Sequence, residues 1–417
     1  MLLGAEGREL LARLAASSAE IASGGSLAVA TRLRRDYPAE LVAAAMAQRE
    51  LRLAARAKFS RAADMLFTRA GYEQSSSEAV ARYRAGRFGD ARLVADLCCG
   101  IGGDLVALAA GREVLAVDRD ITHARLAVHN AGVYGVAGNV TAAVGDVREL
   151  RLGALDAVFI DPARRAGARR FAAGDSEPTL AWCLALVGVV PGVCVKAAPG
   201  LPAELIPDGW EAEFVADGRD LKEAVLWSGA LAGTGRRATV LTAGAGHPDG
   251  AGGAETLSTA PSEPVAAAVH SMTAVPGEPV PVAAPGEYLL DPNPAITRAG
   301  LVEDLARALA GVAGGTAGPV VAKIDPRIAF LTTERPVRTP FARTLRVLDS
   351  APWNEKRFAV RLRELDIGAV DIRRRGLAGD VDAIRRRLRL TGTRRATVVI
   401  TRVNDKPWGL ICVEPDS

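Results

Sequence analysis

A glycine-rich turn between an apolar run and a helical pattern is the feature of this sequence best suited to chemistry. Residues 96–104 read Asp-Leu-Cys-Cys-Gly-Ile-Gly-Gly-Asp, directly before Leu-Val-Ala-Leu. Gly100, Gly102 and Gly103 allow the backbone to turn sharply and to approach a ligand closely. The pattern predicts a strand, a turn and a helix start, an arrangement that binds nucleotide-like ligands at a helix N-terminus.

The spacing of these glycines distinguishes between classes of nucleotide. A dinucleotide fingerprint needs three glycines in the order G-x-G-x-x-G or A, whereas this turn reads D-x-x-x-G-x-G-G. The carboxylate of Asp96 would repel a pyrophosphate but attract a cation that carries an amine and a sulfonium. We therefore expect S-adenosylmethionine as the cofactor, with Asp96, Cys98, Gly100, Gly102 and Gly103 forming its loop.

Three further apolar runs in the same part of the chain also end in an acid, at Asp118, Asp146 and Asp161. Acids at the carboxyl ends of successive parallel strands mark the ligand crevice of an open α/β sheet. We expect Asp118, followed by Arg119, to hold the ribose hydroxyls. Asp146, followed by Val147, is expected to accept a hydrogen bond from the adenine amino group.

The fourth acid opens the motif expected to meet the substrate. Methyl transfer from a sulfonium is an in-line displacement, so alignment of the reactants supplies much of the acceleration. Asp161 is expected to orient or deprotonate the acceptor, beside a backbone shaped by Pro162. Arg164 and Arg165 are suited to a phosphate or carboxylate of the substrate. Lys196 ends the next predicted strand and either faces the same crevice or is a salt-bridged lysine at a strand end.

Residues 93–165 resemble class I S-adenosylmethionine-dependent methyltransferases. The glycine-rich turn, together with residues 129–136, is similar to the RNA guanine-N2 methyltransferases of the cap-hypermethylating type. Those enzymes carry a Pro-Pro-aromatic motif where this chain has Asp161-Pro162-Ala163-Arg164-Arg165. The resemblance therefore does not imply that the methyl acceptor is an exocyclic amine. The same string is similar to RNA uracil-C5 methyltransferases, but Cys194 precedes the position of their nucleophile and is expected to be a core residue.

The layout of the whole chain resembles a bacterial group of methyltransferases that end in a THUMP-like domain. This resemblance rests on residues 286–296 and 371–376 and implies an RNA substrate, because THUMP domains bind RNA. The expected fold is α/β, a Rossmann-like class I methyltransferase sheet with an N-terminal helical domain and a C-terminal α+β THUMP-like domain. The predicted segments are a helical domain (1–90), the cofactor-binding core (91–242), a flexible linker (243–285) and the THUMP-like domain (286–417).

The amino-acid composition limits the classes of protein to which this chain can belong. The chain has 417 residues, of which 49% are hydrophobic and 24% charged, and a formal net charge of +4, values typical of a globular protein with a sizeable core. The apolar stretches are too short to span a bilayer, so a cytoplasmic protein is expected. Five cysteines without a C-x-x-C pair predict neither disulfides nor a metal site. The oligomeric state stays open.

Arginine is concentrated towards the C-terminus. Residues 357–395 contain twelve arginines, no lysine and five acids, with clusters at 373–375 and 385–387. Such clusters suit the phosphates of tRNA or rRNA, although arginines in the last turn of a helix also complement its dipole. Two alternatives remain: a methyltransferase for a small molecule or protein, and a non-catalytic RNA-binding module that retains the fold.

Overall fold

The computed structural model describes residues 1–164, 176–242, 267–311 and 320–415. The helices are α1 (Ala5–Ala16), α2 (Ser18–Glu20), α3 (Ser26–Leu33), α4 (Ala39–Ala55), α5 (Arg69–Gln74), α6 (Glu78–Gly86), α7 (Leu105–Leu108), α8 (Ile121–Val133), α9 (Leu180–Ala185), α10 (Pro294–Ala299), α11 (Val302–Gly311), α12 (Glu355–Glu364) and α13 (Val381–Leu388). The strands are β1 (Leu93–Leu97), β2 (Glu113–Asp118), β3 (Val140–Val144), β4 (Ala157–Ile160), β5 (Ala163–Arg164), β6 (Ser176–Glu177), β7 (Gly192–Ala197), β8 (Glu211–Asp217), β9 (Asp220–Gly229), β10 (Arg236–Thr242), β11 (Ala268–Thr273), β12 (Tyr288–Pro292), β13 (Ala322–Lys323), β14 (Leu331–Thr333), β15 (Ala342–Pro352), β16 (Ile367–Arg374), β17 (Arg394–Val403) and β18 (Lys406–Val413).

The chain divides into two compact units. Among the described residues, the first unit comprises Met1–Ala197 and Leu226–Ala232, and the second comprises Ala198–Val225, Gly233–Thr242 and the chain from Ala268 onwards. Each unit has buried core clusters of its own.

A parallel sheet forms the centre of the first unit. Its strands β7, β4, β1, β2 and β3 pair in that order, each parallel to its neighbours. Strand β1 is apolar apart from one acid, and Val94, Ala95 and Leu97 are fully buried, as expected for a strand covered on both faces. The strand order reverses between β1 and β4, and such a switch point is where open α/β sheets bind ligands.

The N-terminal helices pack onto this sheet through the glycine-rich turn. Phe59, Met65 and Phe67 belong to one buried cluster with Leu126 of α8 and with Ile101. The stretch from residue 58 to 67 therefore contributes to the core of the first unit.

The side chain of Asn130 on α8 connects three segments of the first unit. It is fully buried, and its Nδ2 donates to the carbonyls of Leu66 at 3.0 Å and Ile101 at 2.8 Å. Its Oδ1 accepts a hydrogen bond from the backbone N–H of Leu66 at 2.9 Å. One amide thus fixes the N-terminal segment, the glycine-rich turn and α8 against one another.

The second unit contains a seven-stranded sheet in the order β13-β14-β12-β15-β18-β17-β16. Its pairs are antiparallel except β16 and β17, which are parallel. Helices α12 and α13 contact β16, and their apolar faces join a core that includes Phe358, Leu362 and Leu388. In the same unit, α10 packs on β8 and β10.

The predicted linker is described only from residue 267 onwards. Residues 243–266 lie outside the described residues, whereas Ala268–Thr273 forms β11 and pairs with β10. In the parts of the chain that the structure describes, no helix is long and apolar enough to cross a membrane. The same parts contain no group of three or more His, Cys, Asp or Glu that could hold a metal ion.

We expect Asn130→Ala to lower the free energy of unfolding by about 3 kcal/mol, because it leaves three buried backbone groups without a partner. Asn139→Ala is the matched control. That exposed side chain makes one hydrogen bond, to the carbonyl of Ala109 at 2.9 Å, and its loss should cost about 1 kcal/mol. Urea unfolding of both variants tests this, and equal losses would contradict the role assigned to Asn130.

Candidate active site

The register of the parallel strands places the predicted acids along one edge of the sheet. Leu97 of β1 pairs with Val117 of β2 and with Ile160 of β4, so Asp118 and Asp161 follow directly beyond these pairs. Asp96 precedes Leu97 on the central strand and lies between them. The carboxyl ends of β1, β2 and β4 therefore gather three carboxylates at the switch point of the sheet.

The glycine-rich turn that follows β1 lies close against α8. Gly100 and Gly102 have φ values of 54° and 83°, a region that favours glycine. A Cβ atom on Gly102 would lie 2.9 Å from the Cα of Ala127, so this glycine is required by the contact as well as by the turn. Gly103 is nearly as constrained, because its Cβ would lie 3.1 Å from the Cβ of Ser75.

Cys98 also adopts a positive φ, of 67°, at the start of the turn. Burial, with the nearby carboxylate of Asp118 adding to it, raises the pKa of its thiol well above the usual range. A thiol of this kind stays protonated at neutral pH and is a poor nucleophile. Its place in the glycine-rich turn is that of a backbone turn residue.

Asp96 is a buried carboxyl group without a hydrogen-bond partner. Its side chain is 1% exposed, and neither carboxyl oxygen has a partner among the described residues. Burial raises the pKa of Asp96 well above its ordinary value, and the neighbouring carboxylates of Asp104 and Asp161 raise it further. An unpartnered buried carboxyl is costly to keep charged, and a bound cation would relieve that cost.

A buried ion pair lies beside Asp96. Arg84 of α6 is 2% exposed, and its Nη1 donates to Oδ1 of Asp104. Ser76 bridges the two, donating to Asp104 at 3.3 Å and accepting from Arg84 at 3.2 Å. The Arg84 guanidinium also stacks over Phe159, 4.9 Å from the ring centre. The N-terminal segment therefore supplies the positive charge nearest to Asp96.

Asp118 is held ionised by a set of hydrogen bonds. Its Oδ2 accepts from the backbone N–H of Gly100 at 2.8 Å, and its Oδ1 accepts from that of Asp120 at 2.9 Å. His123 Nδ1 lies 3.7 Å from Oδ1. Burial raises the pKa of Asp118, but His123 and the two backbone donors outweigh it and lower that pKa overall.

His123 in turn connects Asp118 to the N-terminal segment. Its Nε2 lies 3.4 Å from the hydroxyl of Thr68, the residue that caps α5. The Asp118 carboxylate raises the pKa of His123, although burial opposes it. Arg119, the neighbour predicted to contact the cofactor, is exposed.

The predicted adenine-binding acid already has a cationic partner. Asp146 caps a short helical turn by accepting from the backbone N–H of Arg148 at 2.9 Å, and its carboxylate is paired with the Arg148 guanidinium. This pairing lowers the pKa of Asp146 to about 2. Arg148 also lies 2.9 Å from Glu177. Val147 beside them is buried, with its side chain in the core.

Asp161 and Lys196 form the pair that faces the predicted substrate side. Ile160 of β4 pairs with Val195 of β7, so the residues after them meet, and Lys196 Nζ lies 2.6 Å from Oδ2 of Asp161. The Asp161 side chain is 31% exposed, enough to meet a substrate. Lys196 is thus salt-bridged to Asp161, and its role at the reaction site stays a prediction.

The remaining residues of the substrate motif are described in part. Pro162 is partly exposed. The backbone of Arg164 pairs with Ser176 in the two-residue ladder of β5 and β6. Arg165 lies outside the described residues. The role of both arginines toward a substrate stays a prediction.

Three residues of this site were missing from the sequence interpretation: Arg84, Asp104 and His123. A signal existed for two of them. Arg84 lies between Ala81 and Ala85 on the apolar stripe of α6, and His123 occupies the first turn of the helix that follows Asp118. Asp104 could only be recognised through its contact with Arg84, which lies 20 residues earlier in the chain.

Comparison with known proteins identifies the family to which this chain belongs. Family models match three parts of the chain: a domain of unknown function over residues 1–55, an RNA cap guanine-N2 methyltransferase over residues 91–170, and a THUMP domain-like family over residues 342–414. Proteins from two strains of Mycobacterium tuberculosis, CDC 1551 and H37Rv, are described as uncharacterised S-adenosylmethionine-dependent methyltransferases. Each is 37% identical over 351 residues, which is 81% of this chain and 85% of the relative. The chain belongs to the S-adenosylmethionine-dependent methyltransferases.

The fold of the methyltransferase also has a counterpart among solved structures. A crystal structure of a candidate methyltransferase from Porphyromonas gingivalis W83 superposes with a TM-score of 0.67 and covers 91% of this chain and 92% of its own. The two are 20% identical, so this likeness concerns the fold. The expected α/β fold, with a class I methyltransferase sheet and a C-terminal THUMP-like domain, is confirmed.

The residues at the strand ends suit the cofactor of this family. The orphaned carboxyl oxygens of Asp96 offer a site for a cationic group, which S-adenosylmethionine carries and a pyrophosphate lacks. Asp118, with its lowered pKa, presents a charged acceptor to hydroxyl donors. The methyltransferase would therefore hold its cofactor on the carboxyl edge of β1 and β2, beneath the glycine-rich turn.

We expect the affinity for S-adenosylmethionine to rise with pH, because a cation must displace the proton that the raised pKa of Asp96 keeps on the carboxyl. Linkage of one proton changes the affinity by up to about tenfold per pH unit below that pKa. Titration calorimetry in buffers of different ionisation enthalpy should detect the released proton. Asp96→Asn should bind more weakly without this proton, whereas the exposed Asp90→Asn should behave as wild type. Proton-independent wild-type binding between pH 5 and 9 would contradict the assignment.

His123→Ala should destabilise the first unit in a pH-dependent way. Since Asp118 raises the pKa of His123, the stabilisation is complete below the unfolded value of about 6.5 and is lost as pH rises through the raised value. The expected difference in unfolding free energy is about 1 kcal/mol at pH 6 and shrinks toward pH 9. His129→Ala, on the same helix but bonded to the carbonyl of Asp64, is the control. Thermal unfolding at both pH values measures the difference.

Proposed function

We propose that this methyltransferase modifies structured RNA, such as tRNA or rRNA. The observation that carries the proposal is the presence in one chain of two RNA-associated matches, the cap guanine-N2 methyltransferase over residues 91–170 and the THUMP-like family over residues 342–414. The arginine-rich sequence within the second match supports it, because guanidinium groups bind phosphates with two parallel hydrogen bonds.

The proposed roles at the reaction site follow from the geometry of Asp161. Lys196 occupies Oδ2 of this carboxylate, which fixes the direction of the side chain. Among the described residues, no hydrogen bond to Oδ1 is made, so Oδ1 can accept one from the N–H or O–H of the acceptor nucleotide. Asp161 would thereby orient the acceptor and take up its proton as the new bond to carbon forms.

The cofactor, when bound, supplies a methyl group activated by a sulfonium. The protein itself has to align the acceptor atom with the methyl group and to exclude competing reactions. Asp96 would hold the cationic group of the cofactor and Asp118 its ribose hydroxyls, and Pro162 would hold the backbone beside the acceptor. Residues 161–165 contain no aromatic residue, unlike the Pro-Pro-aromatic motif of the cap-type enzymes, so the substrate base would be held without that stacking partner.

Transfer of labelled methyl from S-adenosylmethionine into total RNA and total protein, both from cells that lack the gene, tests this proposal. We expect label in one RNA fraction, and Asp161→Asn should lower the rate by about 10²- to 10⁴-fold, the range for a lost general base. Lys196→Gln should lower it less, because it frees Asp161 without removing the acceptor atom.

Two controls make this experiment decisive. Asp90→Asn removes an exposed acid of the first unit and should transfer methyl at the wild-type rate. Binding of S-adenosylmethionine by Asp161→Asn should remain within about threefold of wild type, since the lost group faces the acceptor. Label confined to the protein fraction would overturn the RNA assignment.

A further inference from the structure

Two arginines of the second unit pair with one buried carboxylate, and two more lie close to them. Asp291, at the end of β12, is 3% exposed. Arg219 Nη2 lies 2.7 Å from its Oδ2, and Arg375 Nη2 lies 3.0 Å from its Oδ1. Arg343 pairs with Asp291 in the register of β12 and β15. We call Arg219, Arg343, Arg373 and Arg375 the Asp291 cluster.

The fourth member joins the cluster through a second acid. Arg373 Nε lies 3.2 Å from Asp371, and Arg343 Nη1 lies 3.9 Å from the same carboxylate. Arg343 also pairs with Glu414. The cluster therefore contains four guanidinium groups and three carboxylates, drawn from segments more than 150 residues apart in the sequence.

The arginines of the cluster repel one another. Burial lowers the pKa of Arg219, Asp291 opposes this effect, and the charges of Arg373, Arg343 and Arg375 lower that pKa further. The pKa of Arg375 is lowered in the same way, by burial and by Arg373, against Asp291. Bringing like charges together in this way is unfavourable in the free protein, and an anion that bridges them would relieve it.

The cluster is held rigidly, yet it is open to solvent. Asn293 Nδ2 donates to the carbonyl of Gly218 at 2.8 Å, which fixes the turn that carries Arg219. Arg375 stacks over Phe330, 4.6 Å from the ring centre. The side chains of Arg219 and Arg373 are nevertheless 36% and 46% exposed. Their remaining N–H groups are preorganised donors that a large anion can reach.

The arginines of α13 lack these properties. Arg385 is paired with Asp382 at 2.8 Å, and Arg387 makes two hydrogen bonds to Glu355, at 2.7 and 2.9 Å. Their charges are compensated on an exposed helix, and no buried carboxylate gathers them. Arg385 and Arg387 are thus weaker candidates for phosphate contact than the sequence predicts.

We propose that the Asp291 cluster binds the phosphate backbone of the RNA substrate. The choice of RNA as the polyanion rests on the proposed function. The site itself is argued from the contacts of the described residues. Planar guanidinium groups suit phosphate oxygens, because each presents several N–H donors in a fixed arrangement. Several of them on one surface suit a chain of phosphates better than a single small anion.

The test is binding of a fluorescently labelled tRNA transcript to the full-length protein, measured by anisotropy at several salt concentrations. Arg219→Gln with Arg373→Gln should weaken binding at least tenfold at 0.1 M salt. Two lost phosphate contacts should reduce the slope of log K against log salt by about 1.4 to 1.8. Arg385→Gln with Arg387→Gln removes the same charge from the same unit and should change affinity less than threefold.

Two further variants guard against loss of folding. Thermal unfolding is recorded for each protein, and Arg373→Gln alone, the most exposed of the four, should still lower the slope by about 0.7 to 0.9. Arg219→Lys keeps the charge near Asp291 but not the planar fork, and it should bind with intermediate affinity. Equal losses in the cluster and control doubles, or wild-type binding by the cluster double, would overturn the proposal.

The outcomes separate this proposal from the proposed function. If the wild type methylates RNA and the cluster double binds tRNA normally, the cluster assignment fails and the RNA methyltransferase stands. If tRNA binding depends on the cluster but label enters protein alone, the surface stands and the proposed substrate fails. Loss of binding to a poly-glutamate peptide in the cluster double, with tRNA binding unchanged, would assign the surface to an acidic protein and overturn the RNA contact.

Discussion

The first unit depends on the buried amide of Asn130. Its three hydrogen bonds satisfy backbone groups of Leu66 and Ile101 that no helix or sheet could reach. Because Ile101 lies in the glycine-rich turn, the position of that turn is set by α8 and by the N-terminal segment together. The conformation of the glycine-rich turn therefore depends on tertiary contacts, although its residues are contiguous in the sequence.

The surroundings of Asp96 in the first unit and of Asp291 in the second gather side chains of opposite charge. In the first, Asp96 lies among carboxylates with Arg84 as the nearby cation; in the second, four arginines share a few acids around Asp291. Each imbalance is unfavourable without a ligand, and each suits one reactant of the proposed reaction, a cationic cofactor and a polyanionic substrate. Part of the binding free energy at such a site comes from relief of electrostatic repulsion that is present in the folded protein without its ligand.

The sequence predicted the features that depend on residues close together in the chain. Apolar runs that end in acids identified β1, β2 and β4. Contacts over long separations were not accessible. The approach of His123 to Thr68 spans 55 residues, and the pairing of Arg387 with Glu355 is a property of two packed helices that no arginine count reveals. The predicted segment boundaries and residue roles stay predictions.

A steric contact near the cofactor loop limits how this family can diverge. A Cβ atom on Gly71 would lie 2.4 Å from Cγ2 of Ile101, so the two positions compete for one volume. The hydroxyl of Thr68 would lie 2.7 Å from the same Cβ atom, so alanine at 71 requires both a smaller side chain at 101 and a shift of Thr68. The helical segment and the loop must therefore change together over evolutionary time, and neither can be exchanged alone between relatives.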